Sequence, residues 1–106
     1  MDLTNLITSQ NYLNDEIVAA KRDAKDYAIL VSPEFVFEGA TYRVLLDGHH
    51  SLAAALEAGV EPQVEEATAT QHDAVALIAD DKVDDFLTVT HFGSDYRYAI
   101  TGRLVW

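Results

Sequence analysis

The sequence predicts a small α+β domain in which a small mixed sheet packs against several helices. Short apolar runs of strand length alternate with runs whose apolar residues recur at helical spacing, and this mixture favours an α+β or α/β arrangement. At 106 residues the chain fits one domain with one modest core, so we expect a single domain over residues 1–106. Hydrophobic residues form 49% of the chain, a composition typical of folded proteins and not of disordered ones.

A helix is the first predicted element. Its apolar residues recur at the spacing of one helical stripe, which we expect to face the core: Leu13, Ile17, Ala20 and Ala24. Asn11 or Asn14 would cap its start. Three of the seven basic residues lie on this segment, away from the stripe: Lys21, Arg22 and Lys25. They form the basic patch of an otherwise acidic sequence.

Strands follow in the middle of the chain. Residues 27–32 are predicted as a buried strand, which Pro33 ends. A hairpin comes next, with one strand before Gly39-Ala40, at 35–38, and the other after it, at 41–46. In the second of these strands, alternate side chains share one face: Tyr42, Val44 and Leu46.

The last third of the chain mixes short elements. Residues 63–68 are predicted as a short strand, and Thr70 would begin a capping-box variant ahead of a helix. Asp81 would cap a further short helix. The inward positions of these two helices are Ala74, Leu77 and Ile78 in the first and Val83, Phe86 and Leu87 in the second. Residues 96–106 would form one or two strands around Gly102, with one face made of Tyr96, Tyr98 and Ile100.

The acidic charge excludes one class of function. The chain has 18 acidic and 7 basic residues, a net charge of -11. Nine of the acids lie between Glu61 and Asp95, where Lys82 is the one base. Because binding to a phosphate backbone needs clustered Lys and Arg, we expect no direct DNA binding. The acidic segment 61–95 either serves solubility or forms an acidic face for a protein partner.

The cysteine count and the apolar runs set the expected compartment. The chain has no cysteine, which excludes disulfides, thiol catalysis and thiolate metal sites. Apolar runs stay below the ~18 residues of a membrane span. The start of the sequence lacks the basic and apolar regions of a secretion signal. We therefore expect a soluble cytoplasmic protein that does not contact a membrane.

The main candidate site is the junction between the strand that ends at Leu46 and a helix predicted from His49 to Ala58. Leu and Ala residues dominate this helix, and Gly59 is a natural C-terminal stop. Asp47 and Gly48 form the turn between the two elements. The chain thus places a sharp turn and two histidines at a helix N-terminus.

The chemistry of this junction allows two interpretations. A helix N-terminus offers unpaired N–H groups and the positive end of the helix dipole, so Gly48 and the first turn as far as Ser51 would cradle a phosphate. His49 and His50 would contact that phosphate or transfer protons near neutral pH. In the other interpretation Asp47 only caps the helix, by accepting from the N–H of His49 or His50, and Gly48 only serves the turn.

We predict no resident metal at this junction. One histidine with Asp47 could hold a divalent ion. However, adjacent helical residues lie about 100° apart, so His49 and His50 would not share one metal. The other two histidines, His72 and His91, are isolated in sequence, and His72 is expected at the surface in the first turn of a helix.

Residues 44–60, VLLDGHHSLAAALEAGV, resemble the central motif of the ParB/sulfiredoxin-like superfamily. Many ParB-like domains have a strand that ends in Asp-Gly-His-His-Arg, followed by Leu-x-Ala-Ala and a glycine. In these relatives the loop and the helix start bind nucleotide phosphates, and free-serine kinases and some ParB-like nucleases share the fold. The resemblance implies this fold and a nucleotide ligand such as ATP, ADP or CTP with magnesium. The site residues it implies are Asp47, Gly48 and Ser51 for ligand binding and His49 and His50 for catalysis.

The sequence departs from the motif at Ser51, where the family has an arginine. The fork of donors on arginine suits phosphate, and serine cannot replace it. Another arginine could reach in from a strand (Arg43, Arg97 or Arg103), the ligand could be less charged, or catalysis could be lost. The sulfiredoxin reaction is excluded because its nucleophile is a cysteine. We also expect 106 residues to be too few for the DNA-reading and dimerisation domains of a partition ParB.

Two functions remain open on the sequence. The first is a ParB-like domain that binds a nucleotide or another phosphate ligand, with or without turnover. The second is a small acidic protein-interaction module, of an accessory, phage- or plasmid-borne or immunity type, in which the site is vestigial. The missing motif arginine and the charge of -11 favour the second, and the Asp-Gly-His-His turn favours the first.

Overall fold

Six strands and four helices occur in the described residues of the computed structural model, which are 2–10, 12–92 and 94–106. Their bounds in chain order are β1 (Leu6–Thr8), α1 (Asp15–Asp23), β2 (Ala28–Val31), β3 (Phe35–Phe37), β4 (Ala40–Asp47), α2 (His49–Ala58), β5 (Gln63–Glu66), α3 (Val75–Ala79), α4 (Val83–Val89) and β6 (Arg97–Tyr98). The predicted α+β domain with a mixed sheet and several helices is confirmed. None of these helices has the length and apolar character needed to cross a membrane.

The strands form one mixed sheet in the order β5-β2-β4-β1-β6, and β3 also pairs with β4. β4 organises the sheet, since it runs parallel to β1 and antiparallel to β2 and β3. Because β1 and β4 are parallel, their carboxyl ends, Thr8 and Asp47, lie at the same end of the sheet. α2 begins at that end.

Helices cover both faces of the sheet. One core surrounds α4 and contains Ile7, Phe35, Tyr42, Val44, Phe86, Leu87 and Tyr96. The other lies under α2 and contains Leu6, Ile29, Val31, Leu45 and Leu52. Since adjacent strand residues point to opposite faces, Val44 and Leu45 enter different cores and are each only 1% exposed. The domain therefore has three layers, with α1 and α2 on one side of the sheet and α3 and α4 on the other.

β1 is a central strand that the sequence did not predict. It has only three residues, Leu6 to Thr8, which is too short for an alternating pattern to be recognised. Leu6 and Ile7 are nevertheless fully buried, one in each core. The strand exists because β4 and β6 pair with it on both sides, and these are contacts between distant parts of the chain.

α1 forms where expected, but the predicted buried face is wrong. Val18 is the residue of α1 that is buried, whereas Ile17 is 42% exposed and Leu13, which precedes the helix, is 46% exposed. Contacts with α2 set this rotation. Asn14 at the start of α1 bonds to His50 at the start of α2, and an ion pair joins the ends of the two helices (Arg22–Glu57, 3.4 Å).

The Asn14 cap itself is as predicted. The Asn14 side chain accepts hydrogen bonds from two backbone N–H groups of the first turn, those of Glu16 (2.9 Å) and Ile17 (3.2 Å). The alternative cap, Asn11, lies outside the described residues. The cap satisfies two N–H groups of the first turn of α1, and the acidic residues Asp15 and Glu16 interact favourably with the helix dipole there.

The β3–β4 hairpin turns one residue earlier than predicted. Glu38 and Gly39 form the two-residue loop, with φ angles of 51° and 83°, while Ala40 already pairs with Phe37. Two positive φ angles in a two-residue loop are the signature of a type I′ turn, whose twist matches that of the strands. The glycine is thus at the second loop position and Ala40 belongs to β4.

Ser32 joins β2 and β3 into one almost continuous partner for β4. Its backbone N–H donates to the Val44 carbonyl (2.9 Å), and its hydroxyl accepts from the Val44 N–H (2.9 Å). The Ser32 side chain therefore stands where a strand carbonyl would accept, just before Pro33 interrupts the ladder. Ser32 is fully buried, so this bond is shielded from water.

The short helices α3 and α4 do not have the predicted caps. Within the described residues, neither helix start receives a side-chain cap. The Thr70 hydroxyl bonds to the Thr68 hydroxyl instead (3.0 Å), and Asp81 has a left-handed φ of 60°, outside the extended conformation of an N-cap. The inward apolar positions are as predicted, since the first core contains or contacts all six: Ala74, Leu77, Ile78, Val83, Phe86 and Leu87.

The C-terminal strand is shorter than predicted. β6 contains only Arg97 and Tyr98, and the Gly102 N–H then donates to the Tyr98 carbonyl (2.8 Å), which closes a turn. Ile100 lies in that turn and is 41% exposed. It therefore does not continue the inward alternation that Tyr96 begins.

Candidate functional site

The predicted junction lies at the end of the sheet where β1 and β4 both finish. Asp47 ends β4, Gly48 makes the turn, and α2 begins at His49. Thr8, the last residue of β1, lies beside the helix start because β1 pairs in parallel with β4. The sheet thus places two strand ends around one helix N-terminus, where loops and helix starts commonly bind ligands.

Gly48 is required by the packing of the turn against β2. Its φ is 92°, a left-handed value that side chains rarely adopt. A Cβ atom at this position would lie 2.6 Å from the Ala28 carbonyl oxygen and 2.9 Å from the Ile29 Cα. The missing side chain therefore lets the turn approach the β2 backbone closely.

The start of α2 has no side-chain cap among the described residues. The Asp47 side chain accepts from the Gly48 N–H (2.8 Å) and not from His49 or His50, so the predicted capping role of Asp47 is wrong. Gly48 itself is the N-cap residue, and its carbonyl accepts from the Leu52 N–H (2.8 Å). The first-turn N–H groups thus receive no side-chain acceptor, and the positive end of the helix dipole faces the turn.

The two histidines of the first turn point to different neighbours. His49 Nε2 lies 2.8 Å from the Thr8 hydroxyl at the end of β1. His50 Nε2 accepts from the backbone N–H of Asn14, at 3.1 Å. The divergence is that expected for adjacent helical residues. While the Asn14 bond is in place, the proton of neutral His50 lies on Nδ1.

Burial controls the charge of His49. Because burial deprives the protonated ring of hydration, it disfavours the charged form and lowers the pKa of His49. The Asp47 carboxylate opposes this shift in pKa, and the neighbouring His50 adds to it. His49 is therefore neutral near neutral pH. A neutral ring next to the Thr8 hydroxyl can contact a ligand without adding positive charge to the site.

A cleft runs along the N-terminus of α2. It consists of two adjoining cavities of about 230 Å³ and about 340 Å³, and both are lined by Asp47, Gly48, Ser51 and Lys21. Lys21 comes from α1, and it is the one Lys or Arg among the described residues that line the two cavities. Its ammonium group forms an ion pair with Asp26 (2.9 Å) on the partly exposed wall of the cleft.

Ser51, the position of the motif arginine, is buried and lines both parts of the cleft. None of the three predicted arginines lines the two cavities. Arg43 instead bonds to the Ser32 carbonyl (3.1 Å), Glu66 (2.5 Å) and Glu34 (3.3 Å), and Arg97 donates to the Gly102 carbonyl (3.0 Å). The cation that the structure brings to the junction is Lys21, a residue that the sequence placed on a basic helix but not at the site.

Carboxylates also border the cleft. Asp26 and Glu65 line the larger cavity, and Asp47 lines both. The Lys21 ammonium and the Ala28 N–H lower the pKa of Asp26, so this group is ionised at neutral pH. Among the described residues no three His, Asp or Glu side chains converge as a metal site. Asp47 alone could contribute one oxygen to a magnesium ion whose other ligands are waters and phosphates.

The acidic segment 61–95 does not form one face. All nine acids are exposed, but they lie on different layers of the domain. Glu65 lines the cleft beside Gly48, whereas Asp84 and Asp95 line a cavity on the α4 side of the sheet. The negative charge is therefore spread around the domain.

The two remaining histidines differ in burial, since His72 is partly buried and His91 is exposed. His72 precedes α3 and is partly buried, with a buried Nδ1 that has no hydrogen-bond partner among the described residues. The His91 ring packs against the Tyr96 ring in a T-shaped arrangement, with ring centroids 5.9 Å apart. Neither ring lies at the α2 junction.

Comparisons of the chain with known protein families, with curated proteins and with solved structures found no match.

Proposed function

We propose that this chain is a ParB/sulfiredoxin-like domain that binds a nucleotide or another phosphate ligand at the N-terminus of α2. One observation carries the proposal: a ten-residue helix starts without a side-chain cap and opens on a cleft into which a neighbouring helix brings Lys21. Helix N-termini bind phosphate through backbone N–H groups and the helix dipole. The motif residues Asp47 to Ser51 supply this geometry.

Lys21 takes the role that the motif gives to arginine. An ammonium group binds phosphate as a point charge, although it lacks the two parallel donors of a guanidinium. In the free protein Lys21 pairs with Asp26, and both side chains are about two-fifths exposed. Such exposed pairs contribute at most about 1 kcal/mol, so a bound phosphate can displace the carboxylate. Asp47 would hold the magnesium that accompanies a nucleotide.

In this proposal His49 and His50 support the site, and neither has a catalytic role. His50 fastens α1 to the start of α2, and thereby holds the helix that carries Lys21. His49 borders the smaller cavity and remains neutral. Each Nε2 atom already has a protein partner, so a substrate could exchange a proton with that atom only after its hydrogen bond breaks. Ligand binding is therefore the function that this geometry supports best.

Calorimetric titration with ATP, ADP and CTP, each with and without magnesium, tests the proposal. We expect saturable binding, weakened about tenfold by Lys21→Gln, because a charge-assisted bond contributes about 1.5 kcal/mol or more. Lys25→Gln is the matched control, since it removes the same charge just beyond α1 from a residue that does not line the cleft. Absence of binding at millimolar nucleotide, or an equal loss in both variants, would contradict the proposal.

A second function is favoured by the apolar residues that α1 leaves exposed. Leu13 and Ile17 are 46% and 42% exposed, and Leu56 and Val60, in and just after the neighbouring α2, are 46% and 43% exposed. Leu13 and Leu56 also line a common cavity of about 120 Å³. We propose that this apolar strip receives an amphipathic helix of a partner protein, as grooves between helices do. Although α1 itself carries Lys21 and Arg22, the net charge of -11 on the whole chain attracts a basic partner at long range.

The two functions are distinguished by one set of variants. If the strip is the functional surface, Ile17→Glu abolishes capture of a basic partner from lysate, while Ile100→Glu, at a residue of similar exposure (41%), does not. Lys21→Gln changes the α2 cleft at a residue that does not line the cavity of the strip, and it would leave that capture intact. Loss of capture in Lys21→Gln, with retention in Ile17→Glu, would reject the strip and favour the α2 cleft.

A further inference from the structure

A cavity on the α4 side of the sheet has a lining unlike that of the α2 cleft. Its volume is about 460 Å³, within the range of small-molecule sites. Its lining includes Phe37, Asp84, Leu87, Asp95, Tyr96 and Trp106. They come from β3, from α4 and from the segments before and after β6. The sheet separates this cavity from the α2 junction.

Three aromatic side chains form a continuous wall of the cavity. The Trp106 ring lies 5.3 Å from Phe37 and 5.7 Å from Tyr96 between centroids, with the planes inclined by 50° and 41°. Trp106 is half-exposed, so part of its ring system is open to the cavity rather than buried in the core. The face of an aromatic ring is negative, and Trp is the strongest of the side chains that attract cations in this way.

The charged groups of the lining have one sign. Asp84 and Asp95 are exposed carboxylates, and no Lys or Arg is among the described lining residues. Neither carboxylate forms an ion pair among the described residues. The carboxylates attract a cation, and the aromatic faces can replace the hydration shell of that cation. Both features therefore favour a cationic ligand.

We propose that this cavity binds a small organic cation that presents an alkylammonium group. The ammonium head would lie against the Trp106 ring between Asp84 and Asp95, with its alkyl part against Leu87 and Phe37. A purely apolar ligand would leave the two carboxylates without a counter-charge, and an anion would be repelled by them. This site is independent of the phosphate proposal, because it uses other residues on the other face of the sheet.

Tryptophan fluorescence can report on the site directly, because Trp106 is the single tryptophan of the chain. Choline is titrated at constant ionic strength, and 3,3-dimethyl-1-butanol, a neutral molecule of nearly the same shape, is titrated in parallel. We expect a saturable change with choline at millimolar concentration and none with the neutral alcohol. n-Butylammonium, tested in the same way, shows whether a primary amine is preferred, and saturable binding of either cation supports the proposal.

Two charge variants complete the test. Asp84→Asn/Asp95→Asn is expected to weaken choline binding by at least tenfold. Asp73→Asn/Asp80→Asn removes the same charge from exposed residues outside the cavity and should leave the affinity within twofold. The proposal is overturned if the neutral alcohol binds as tightly as choline, if both variants weaken binding equally, or if neither cation gives a saturable change in protein whose circular dichroism shows it to be folded.

Discussion

His50 and Asn14 join the starts of two adjacent helices through one hydrogen bond. The His50 Nε2 accepts from the Asn14 backbone N–H at 3.1 Å, while the Asn14 side chain caps its own helix. The bond ties α1 to the first turn of α2, which contains the candidate site. His50 therefore has a structural role, because it joins the two helices.

Removing the acceptor at position 50 should loosen α1. We expect His50→Leu to lower the free energy of unfolding by about 1–2 kcal/mol, because the Asn14 N–H loses a partly buried acceptor. Urea denaturation measures this change, and amide exchange within α1 should quicken. His50→Gln, which keeps an acceptor, should recover much of the loss. Equal destabilisation by both variants would show that the loss of stability does not come from the hydrogen bond to Asn14.

His49 should make stability depend on pH in the weakly acidic range. Burial lowers its pKa in the folded protein, so the unfolded chain binds more protons between that pKa and the ordinary value of about 6.5. The stabilising contribution is therefore complete above about pH 6.5 and is lost as the pH falls below it. Urea unfolding at several pH values between 7.5 and 5.5 should show a decline that His49→Gln reduces. An unchanged slope in the variant would contradict the assignment to His49.

Gly48→Ala should be far more harmful than the same change at Gly59. Both glycines have positive φ, 92° and 69°, so each substitution places alanine in a left-handed conformation that costs about 1–2 kcal/mol. Only at position 48 would the new Cβ meet backbone, 2.6 Å from the Ala28 oxygen, while nothing lies within 4 Å at position 59. Thermal unfolding should therefore show roughly 1–3 kcal/mol of additional loss for Gly48→Ala. Similar losses would mean that the approach to β2 is less close than described.

Ser32→Ala should destabilise the centre of the sheet, although the substitution removes only one oxygen atom. The Val44 N–H would lose its acceptor in a fully buried position, at a cost of about 1–3 kcal/mol. Exchange of the Val44 amide hydrogen should quicken more than that of other β4 amides. Ser32→Thr keeps the hydroxyl and is the control for the bond. A stability loss below about 0.5 kcal/mol would indicate that water replaces the hydroxyl.

Local signals explain which parts of this fold the sequence predicted. The unit from β4 through Gly48 to α2 combines a strand run, a turn residue and a C-terminal glycine, all within one stretch of chain. The hairpin and the Asn14 cap are likewise short-range features. The position of Gly48 was therefore predictable, although its close contact with Ala28 was not, since Ala28 lies on another strand.

Long-range packing explains the rest. β1 has too few residues to carry a pattern and is defined by its neighbours in the sheet. The rotation of α1 is set by contacts with α2, so periodicity alone gave the wrong buried stripe. Lys21 was visible as part of a basic segment, yet its approach to Ser51 depends on how the two helices pack. The nine acids between Glu61 and Asp95 lie in one segment of the sequence, but the packing of the elements that carry them separates them in space.

The most direct measurement of the central claim is a two-dimensional amide NMR titration of the labelled protein with inorganic phosphate and then with the tightest nucleotide. Phosphate at the α2 N-terminus should move the amide signals of Gly48, His49, His50 and Ser51 more than any others, with saturation, and Lys21→Gln should reduce these shifts while Lys25→Gln leaves them unchanged. Shifts centred elsewhere, or none at tens of millimolar phosphate, would contradict the assignment of an anion site to this helix.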